Sequence, residues 1–180
     1  MQQYLDLGRK ILDEGIFHDN RTGTYTKRLI GQTMEFDLTK GFPMLTTRRI
    51  YPKGIIGELV GFLKGFTSAA QFREVGCNFW DGNANDNPAW LNNPNRKGVD
   101  DLGRIYPQQW RDWRGPNGES IDQVKVAIDT INNSPDSRRN IVMAWNPAEI
   151  DQMSLPCCHI LFTLSADKET KELSLCMVMR

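Results

Sequence analysis

The stretch that most constrains this 180-residue sequence is a Pro-Cys-Cys-His segment running directly into the apolar residues 160–164. Pro156 keeps the residue before it out of helical backbone space, so the segment predicts an extended or turned approach to a strand. The thiols of Cys157 and Cys158 and the imidazole of His159 then lie at the mouth of that strand. Free cysteines usually act as small buried hydrophobic side chains, whereas a thiolate beside arginine is a nucleophile. The choice therefore depends on the arginines in the rest of the chain.

Composition narrows the class of protein. The length fits one domain with a sizeable core, and 22 basic residues balance 22 acidic ones. A net charge of zero argues against nucleic acid or a membrane surface as partner. Without a membrane-spanning apolar run or a signal peptide, we expect a cytoplasmic protein whose four cysteines stay reduced. The adjacent cysteines lack zinc-ligand spacing and only two histidines are available, so we expect no metal site.

Hydrophobic periodicity and capping signals predict the main elements. The predicted helices start near Tyr4, at Pro52, at the capping box of Ser68 and at the capping box of Ser120. The predicted strands cover 29–31, 34–38, 141–145, 160–165 and 173–180, with the last two paired through the turn 167–171. The helix from Pro52 to Gly65 looks apolar around most of its circumference, so we expect it to be central. Residues 82–101 are polar and rich in Asn and Pro, which predicts a long loop that is functional or mobile.

Several polar or aromatic residues have two possible roles at this stage. Arg21 in the polar loop 20–26 is either a solvated charge or an anion clamp. Arg138 and Arg139 follow a Pro-Asp-Ser turn, where adjacent arginines can share one anion instead of splitting between a salt bridge and solvent. Glu58 is either on the wet face of its helix or a buried carboxylate with a task. Trp80 is either a core anchor or a platform for a flat ligand, and residue patterns alone favour the core.

Together these residues resemble the thymidylate synthase family along the whole chain. The motifs that carry the resemblance are 20–24, 41–43 with 46–49, 58–59, 80–81, 101–103 with Tyr106, 109–111, 135–139, the Cys-His active-site segment and Arg180. Each motif is weak alone, and their occurrence in order is specific. The segment between Trp80 and Asp101 is similar to the bacterial and phage subgroup that has an insertion there.

The resemblance implies an α+β fold, with a large mixed sheet, helices packed on one face and the other face packed on a partner's sheet. Residues 1–180 would form a single domain that is truncated at its C-terminus, because the family continues past Arg180 with segments that contact phosphate, uracil and ribose. We therefore expect that this chain does not turn over by itself.

The resemblance also implies a reaction, the reductive methylation of dUMP to dTMP with 5,10-methylenetetrahydrofolate as cosubstrate. Cys158 would add to the pyrimidine ring, Glu58 would organise water and proton transfer, and Tyr106 would support the cysteine pocket. The nucleotide phosphate would be bound by Arg21 and Arg180 together with Arg138 and Arg139 of the other subunit of a homodimer, and the field of these arginines would favour the thiolate. Trp80 and Tyr51 would contact the folate.

Departures from the family pattern concern details of the site. Cys157 occupies a place where the family usually has proline, and Cys158 is taken as the nucleophile because it directly precedes His159. Tyr51 stands where many members have histidine, and Asn83 where many have a second tryptophan.

Two alternatives stay open. A pyrimidine nucleotide hydroxymethylase of the same fold would share the cysteine, the arginines and the folate. A truncated chain without catalytic competence would act only as a dimerisation module.

Overall fold

The computed structural model describes residues 2–19 and 23–180. The chain divides into two compact units, residues 1–50 and 51–180. The expectation of a single domain over 1–180 stays a prediction, and each unit is described by itself.

The first unit is built from a helix and a small hairpin. Helix α1 covers Gln2–Glu14, and the strands β1 (Ile16–His18) and β2 (Thr26–Arg28) pair antiparallel. The predicted helix that stops at Gly15 is confirmed. The predicted strands over 29–31 and 34–38 are wrong, because Gly31 has a φ of +72° that interrupts an extended run. Residues 29–37 form no strand, and a 3₁₀ turn at Leu38–Lys40 follows them.

The second unit contains the remaining helices and strands. In chain order these are α2 (Pro52–Lys64), α3 (Ala69–Glu74), α4 (Asp81–Asn85), α5 (Pro88–Leu91), α6 (Tyr106–Arg111), β3 (Trp113–Arg114), β4 (Ser120–Ile121), α7 (Gln123–Asn133), β5 (Ile141–Met143), β6 (His159–Ala166) and β7 (Leu173–Met179). Pro52 opens α2, and Gly65, with a φ of +77°, closes it. The capping box at Ser68 is present. The predicted box at Ser120 is wrong, since Ser120 pairs with Arg114 in a hairpin and Asp122 caps α7 instead.

Residues 82–101 do not form the long loop that their composition predicts. The side chain of Asn87 accepts a hydrogen bond from the N–H of Ala89, so Asn and Pro open helix α5. The buried indole of Trp90 donates to the carbonyl of Asp101 at 2.7 Å. Arg73 of α3 binds the carboxylate of Asp100 through both terminal nitrogens, at 2.7 and 3.0 Å. The segment is therefore ordered by its own contacts, and the loop prediction is wrong.

The strands of the second unit position the Cys-His segment. β5, β6 and β7 form an antiparallel sheet in that order, with β6 in the middle. The predicted pairing of residues 160–165 with 173–180 is confirmed, and the second strand ends at Met179. The α+β class is also confirmed, although the strands of residues 2–19 and 23–180 form three small antiparallel sheets and not one large mixed sheet.

The core of the second unit is an aromatic cluster, which we define as Phe62, Phe72, Trp80, Tyr106 and Trp110. Helix α2 contributes Phe62 and buries the face that carries its glycines. The opposite face of α2, with Ile55, Ile56, Leu59 and Leu63, is 44–64% exposed. The expectation that α2 is central on all sides is therefore wrong: only the glycine face contacts the core.

The close approach of α2 to the aromatic cluster generates a stability prediction. A Cβ added at Gly61 would lie 2.6 Å from Cδ1 of Phe72 and 2.9 Å from Cδ2 of Phe66. Overpacking costs about 1–3 kcal/mol, which outweighs a gain of up to about 1 kcal/mol in helix propensity. We expect Gly61→Ala to lower the free energy of unfolding by roughly 1–2 kcal/mol in urea titrations.

The matched control is Gly82→Ala in α4, where an added Cβ would meet only a carboxylate oxygen at 3.9 Å. This variant should be neutral or slightly stabilising. Equal stability changes in the two variants would contradict the packing described for Gly61.

Candidate active site

The backbone of the Cys-His segment is held by a tyrosine hydroxyl. The N–H of Cys158 donates to Oη of Tyr106, and the N–H of His159 donates to the same oxygen at 3.3 Å. Cys158 immediately precedes β6, which begins at His159. The Tyr106 hydroxyl therefore sets the position of Cys158 relative to the sheet.

The ring of Tyr106 is fixed by the aromatic cluster. It stacks on Phe62 with ring centroids 4.9 Å apart and meets Trp80 edge-on at 6.1 Å. Burial raises the pKa of Tyr106, and the hydrogen bonds from the Cys158 and His159 backbone offset this only in part. The hydroxyl thus remains protonated at neutral pH, in a place determined by packing.

The two adjacent thiols have different surroundings. Cys157 is completely buried, and its Sγ lies 3.9 Å from Sδ of Met153. The pKa of Cys157 is raised to about 12, chiefly by burial and also by the neighbouring Cys158, while Arg180 acts to lower it. Cys158 is half-buried. Cys157 therefore remains a neutral core thiol, and Cys158 is the member of the pair that a ligand can reach.

Arg180 follows β7 and lies against the same segment. Its backbone N–H donates to the carbonyl of Cys158 at 3.0 Å. Its guanidinium donates to the carbonyls of Cys157 and Pro156 at 3.1 and 2.8 Å. The guanidinium carbon lies over the ring of Trp145, 5.2 Å from its centroid. Within residues 2–19 and 23–180 no carboxylate forms an ion pair with Arg180, so its charge is available to an anion.

Glu58 and Trp80 form a second part of the site. Glu58 lies half-buried on α2, and burial raises the pKa of its carboxyl. The indole N–H of Trp80 makes no hydrogen bond of normal geometry in the described part of the chain. It is nevertheless close enough to the carboxyl to lower the pKa of Glu58 slightly. Trp80 is only 4% exposed and touches Tyr106, so it links Glu58 to the support of Cys158.

Tyr51 occupies the N-cap position of α2 and is 52% exposed. Its ring and that of Phe79, which is 43% exposed, both approach Gly54 so closely that an added Cβ there would lie 2.6 Å from each. A shallow cavity of about 370 Å³ adjoins them, lined by Tyr51, Arg73, Gly76, Cys77 and Asn78. The two aromatic rings are the accessible flat surfaces in this part of the second unit.

Arg138 and Arg139 make no hydrogen bond to Cys158 in the described part of the chain. Arg138 and Arg139 are exposed, on the predicted turn in which the N–H of Ser137 donates to the carbonyl of Ser134 at 2.9 Å. Neither forms an ion pair with any described residue. Arg21 lies outside the described residues. The structure thus joins Cys158, Tyr106 and Arg180, with Glu58 beyond Trp80, and leaves the other predicted arginines untested.

Sequence reasoning missed a buried polar network behind the site. Nε of Arg104 donates to Glu149 at 2.7 Å, and the amide of Gln109 donates to the same carboxylate oxygen at 2.9 Å. It also missed the contact between Trp145 and Arg180. Neither has a local signal, since each joins residues at least 35 positions apart. Only an Arg and a Glu in otherwise apolar surroundings hint at a buried pair.

Comparison with known proteins decides the family. The chain matches the family described as thymidylate synthase over residues 2–180. The chain belongs to the thymidylate synthase family.

Relatives of the chain in this family include thymidylate synthases of bacteria. The thymidylate synthase of Pseudomonas putida is 44% identical to this chain over all of its length, which covers 66% of the relative. The thymidylate synthase of Pseudoalteromonas translucida is 48% identical over 93% of this chain and 60% of the relative. The chain therefore spans less than two thirds of the length of these relatives.

The Tyr106 hydroxyl leads to a further prediction about the stability of this member of the family. Tyr106→Phe leaves the N–H groups of Cys158 and His159 without their acceptor. An unmade hydrogen bond at a partly buried group costs about 1–3 kcal/mol. We expect the free energy of unfolding in urea to fall by roughly 1–2 kcal/mol. Tyr51→Phe, which alters an exposed hydroxyl, is the control and should change it by less than about 0.5 kcal/mol; similar losses in both would argue against the Tyr106 contact.

The raised pKa of Glu58 leads to a prediction about how the stability of the protein depends on pH. Because the pKa of Glu58 is raised in the folded state, proton binding at Glu58 stabilises the fold. This contribution to the free energy of unfolding is fully present below the unfolded-state pKa and is lost as the pH rises through the folded-state pKa. At higher pH the folded protein carries a partly desolvated charge, which Glu58→Gln removes. We expect this variant to raise the melting temperature by a few degrees at pH 8 and to leave it nearly unchanged at pH 4.

Glu74→Gln, at an exposed position at the end of α3, is the matched control in the same melting experiments. Its melting temperature should follow that of the wild type at both pH values. A Glu58→Gln variant that is stabilised equally at pH 4 and pH 8, or is destabilised at pH 8, would refute the desolvation account.

Proposed function

We propose that this chain carries the nucleotide-attacking part of a thymidylate synthase, which converts dUMP to dTMP with 5,10-methylenetetrahydrofolate. Membership of the family supplies the reaction class. The observation that carries the proposal is the accessible residue Cys158, whose backbone N–H is bound by the Tyr106 hydroxyl and whose carbonyl is bound by the backbone N–H of Arg180. A thiol on a fixed backbone, in a segment that also binds an unpaired guanidinium, suits covalent attack on the ring of an anionic nucleotide.

Cys158 is the nucleophile in this proposal. Its thiolate adds to carbon 6 of the uracil ring, so that carbon 5 becomes the electron-rich centre that accepts the one-carbon unit. The buried position of Cys157 supports the choice between the two thiols, because a buried neutral thiol neither reaches the ring nor ionises. Tyr106 fixes the peptide of Cys158 and thereby the direction of attack.

Arg180 binds the nucleotide phosphate. Two of its five N–H groups are used by the carbonyls of Pro156 and Cys157, which leaves the others for phosphate oxygens. Arg21 and, from a partner subunit of a homodimer, Arg138 and Arg139 complete the phosphate site. The exposure of the Arg138–Arg139 turn and the absence of ion pairs there among the described residues are consistent with this role.

Glu58 handles protons near the base. A carboxyl whose pKa is raised by burial is closer to the operating pH and exchanges protons more readily. The folate supplies the one-carbon unit and the hydride. The exposed rings of Tyr51 and Phe79 fit a flat heteroaromatic ligand. Trp80 is only 4% exposed, so in this proposal it contacts the folate only through the edge of its ring beside Glu58.

We also propose that the protein acts in the cytoplasm. Its net charge of zero gives it no long-range attraction to membranes or nucleic acid. Among the helices of residues 2–19 and 23–180, none is long and apolar enough to cross a membrane.

The decisive experiment compares the two thiols in the complete product of the gene that encodes this chain. Cys158→Ala should lower the rate of dTMP formation by on the order of a thousandfold or more. Cys157→Ala should retain activity within about tenfold, because only a core packing group is lost. Chromatography of the products from dUMP and from dCMP measures both the rate and the reaction type.

Circular dichroism melts of both variants provide the control for folding. An active Cys158→Ala variant would reject the assignment of the nucleophile. A hydroxymethylated product in place of dTMP would reject methylation in favour of the hydroxymethylase.

A further inference from the structure

The guanidinium of Arg180 is held by an aromatic ring as well as by backbone carbonyls. The guanidinium carbon lies 5.2 Å from the ring centroid of Trp145, within the range of a cation–π contact. The two carbonyls bind only one edge of the guanidinium, through Nε and one terminal nitrogen. The ring of Trp145 adds a contact to the guanidinium carbon, so the position of the guanidinium depends on this ring as well as on the carbonyls.

Trp145 is itself placed by the sheet and by buried polar contacts. Its backbone N–H donates to the carbonyl of Ile160 in β6 at 3.2 Å. The next residue, Asn146, is buried and bonds through its side chain to Gln109 at 3.4 Å and to the N–H of Ala148 at 3.2 Å. The backbone that carries the ring is therefore fixed on both sides, whereas an arginine side chain alone has many rotamers.

We infer that Trp145 is a positioning residue for phosphate binding, which aligns the guanidinium of Arg180 with the nucleotide phosphate. This inference rests on the proposed function, because it takes the phosphate of dUMP as the anion. The ring pre-orients the free N–H groups of Arg180 and so reduces the ordering that binding requires. Trp145 does not touch the reacting atoms, and its effect is expected on binding more than on the chemical step.

The test measures the dissociation constant of dUMP by isothermal titration calorimetry in the complete gene product. Trp145→Leu should weaken dUMP binding about 5- to 20-fold, the range expected for loss of a cation–π contact. Trp145→Phe keeps an aromatic face and should weaken it less than about threefold. In turnover assays, Trp145→Leu should raise KM by a similar factor and leave kcat within about twofold.

The matched control is Trp113→Leu, the same chemical change at a partly buried tryptophan of the β3–β4 hairpin. It should leave dUMP affinity unchanged. A double-mutant cycle tests the route of the effect: in an Arg180→Gln background, Trp145→Leu should cause no further loss of affinity.

The outcomes separate the two proposals. If the wild-type protein does not bind dUMP, the proposed function fails and the role of Trp145 fails with it. If the wild type binds dUMP and Trp145→Leu binds equally well, only the positioning role is overturned. Equal losses in the Phe and Leu variants, or an undiminished loss in the Arg180→Gln background, would also overturn it.

Discussion

The second unit depends on one hydroxyl group, that of Tyr106, which joins the helical core to the strand that follows Cys158. The ring belongs to the aromatic cluster, and the oxygen accepts the N–H groups of Cys158 and His159. Core packing therefore also determines the geometry of the site, because a shift of the aromatic cluster moves the backbone that carries the Cys158 thiol. Because Tyr106 binds its backbone, the Cys-His segment can hold a reactive side chain in place although it has little regular secondary structure of its own.

Elements with strong local signals could be predicted from the sequence. Helix α2 has proline at its start and glycine past its end, and β6 and β7 are apolar runs separated by a polar turn, so periodicity and turn chemistry suffice. The loop prediction for residues 82–101 is wrong because asparagine and proline are common both in loops and in the first turns of helices. The prediction that α2 is central does not hold for its exposed outer face, because apolar composition does not reveal which side of a helix packs against a neighbour.

The candidate site likewise has parts that can be predicted from the sequence and parts that cannot. The Cys-His segment and the arginines are visible as motifs, and the resemblance to thymidylate synthase gives them roles. The resemblance favours Cys158 over Cys157 because Cys158 directly precedes His159, but the burial of Cys157 is not visible in the sequence, because adjacent identical residues differ only in which one the fold buries. The contact of Trp145 with Arg180 depends on the register of β5 and β7 across β6, and such register is not encoded near either residue.

The segment between α3 and α6 has a consequence for how such a protein can diverge. Its two ends are fastened at one place, where Arg73 binds Asp81 and Asp100 and where Ser68 pairs with Asp101. The stretch is closed at its base, and Asn87, Asn93 and Asn95 also bind the carbonyls of residues 151 and 154. The entropy of closing it grows only slowly with length, by roughly 0.6 kcal/mol per doubling. Residues can thus be gained or lost at exposed positions such as Val99 over generations while the thiol and its tyrosine stay where they are.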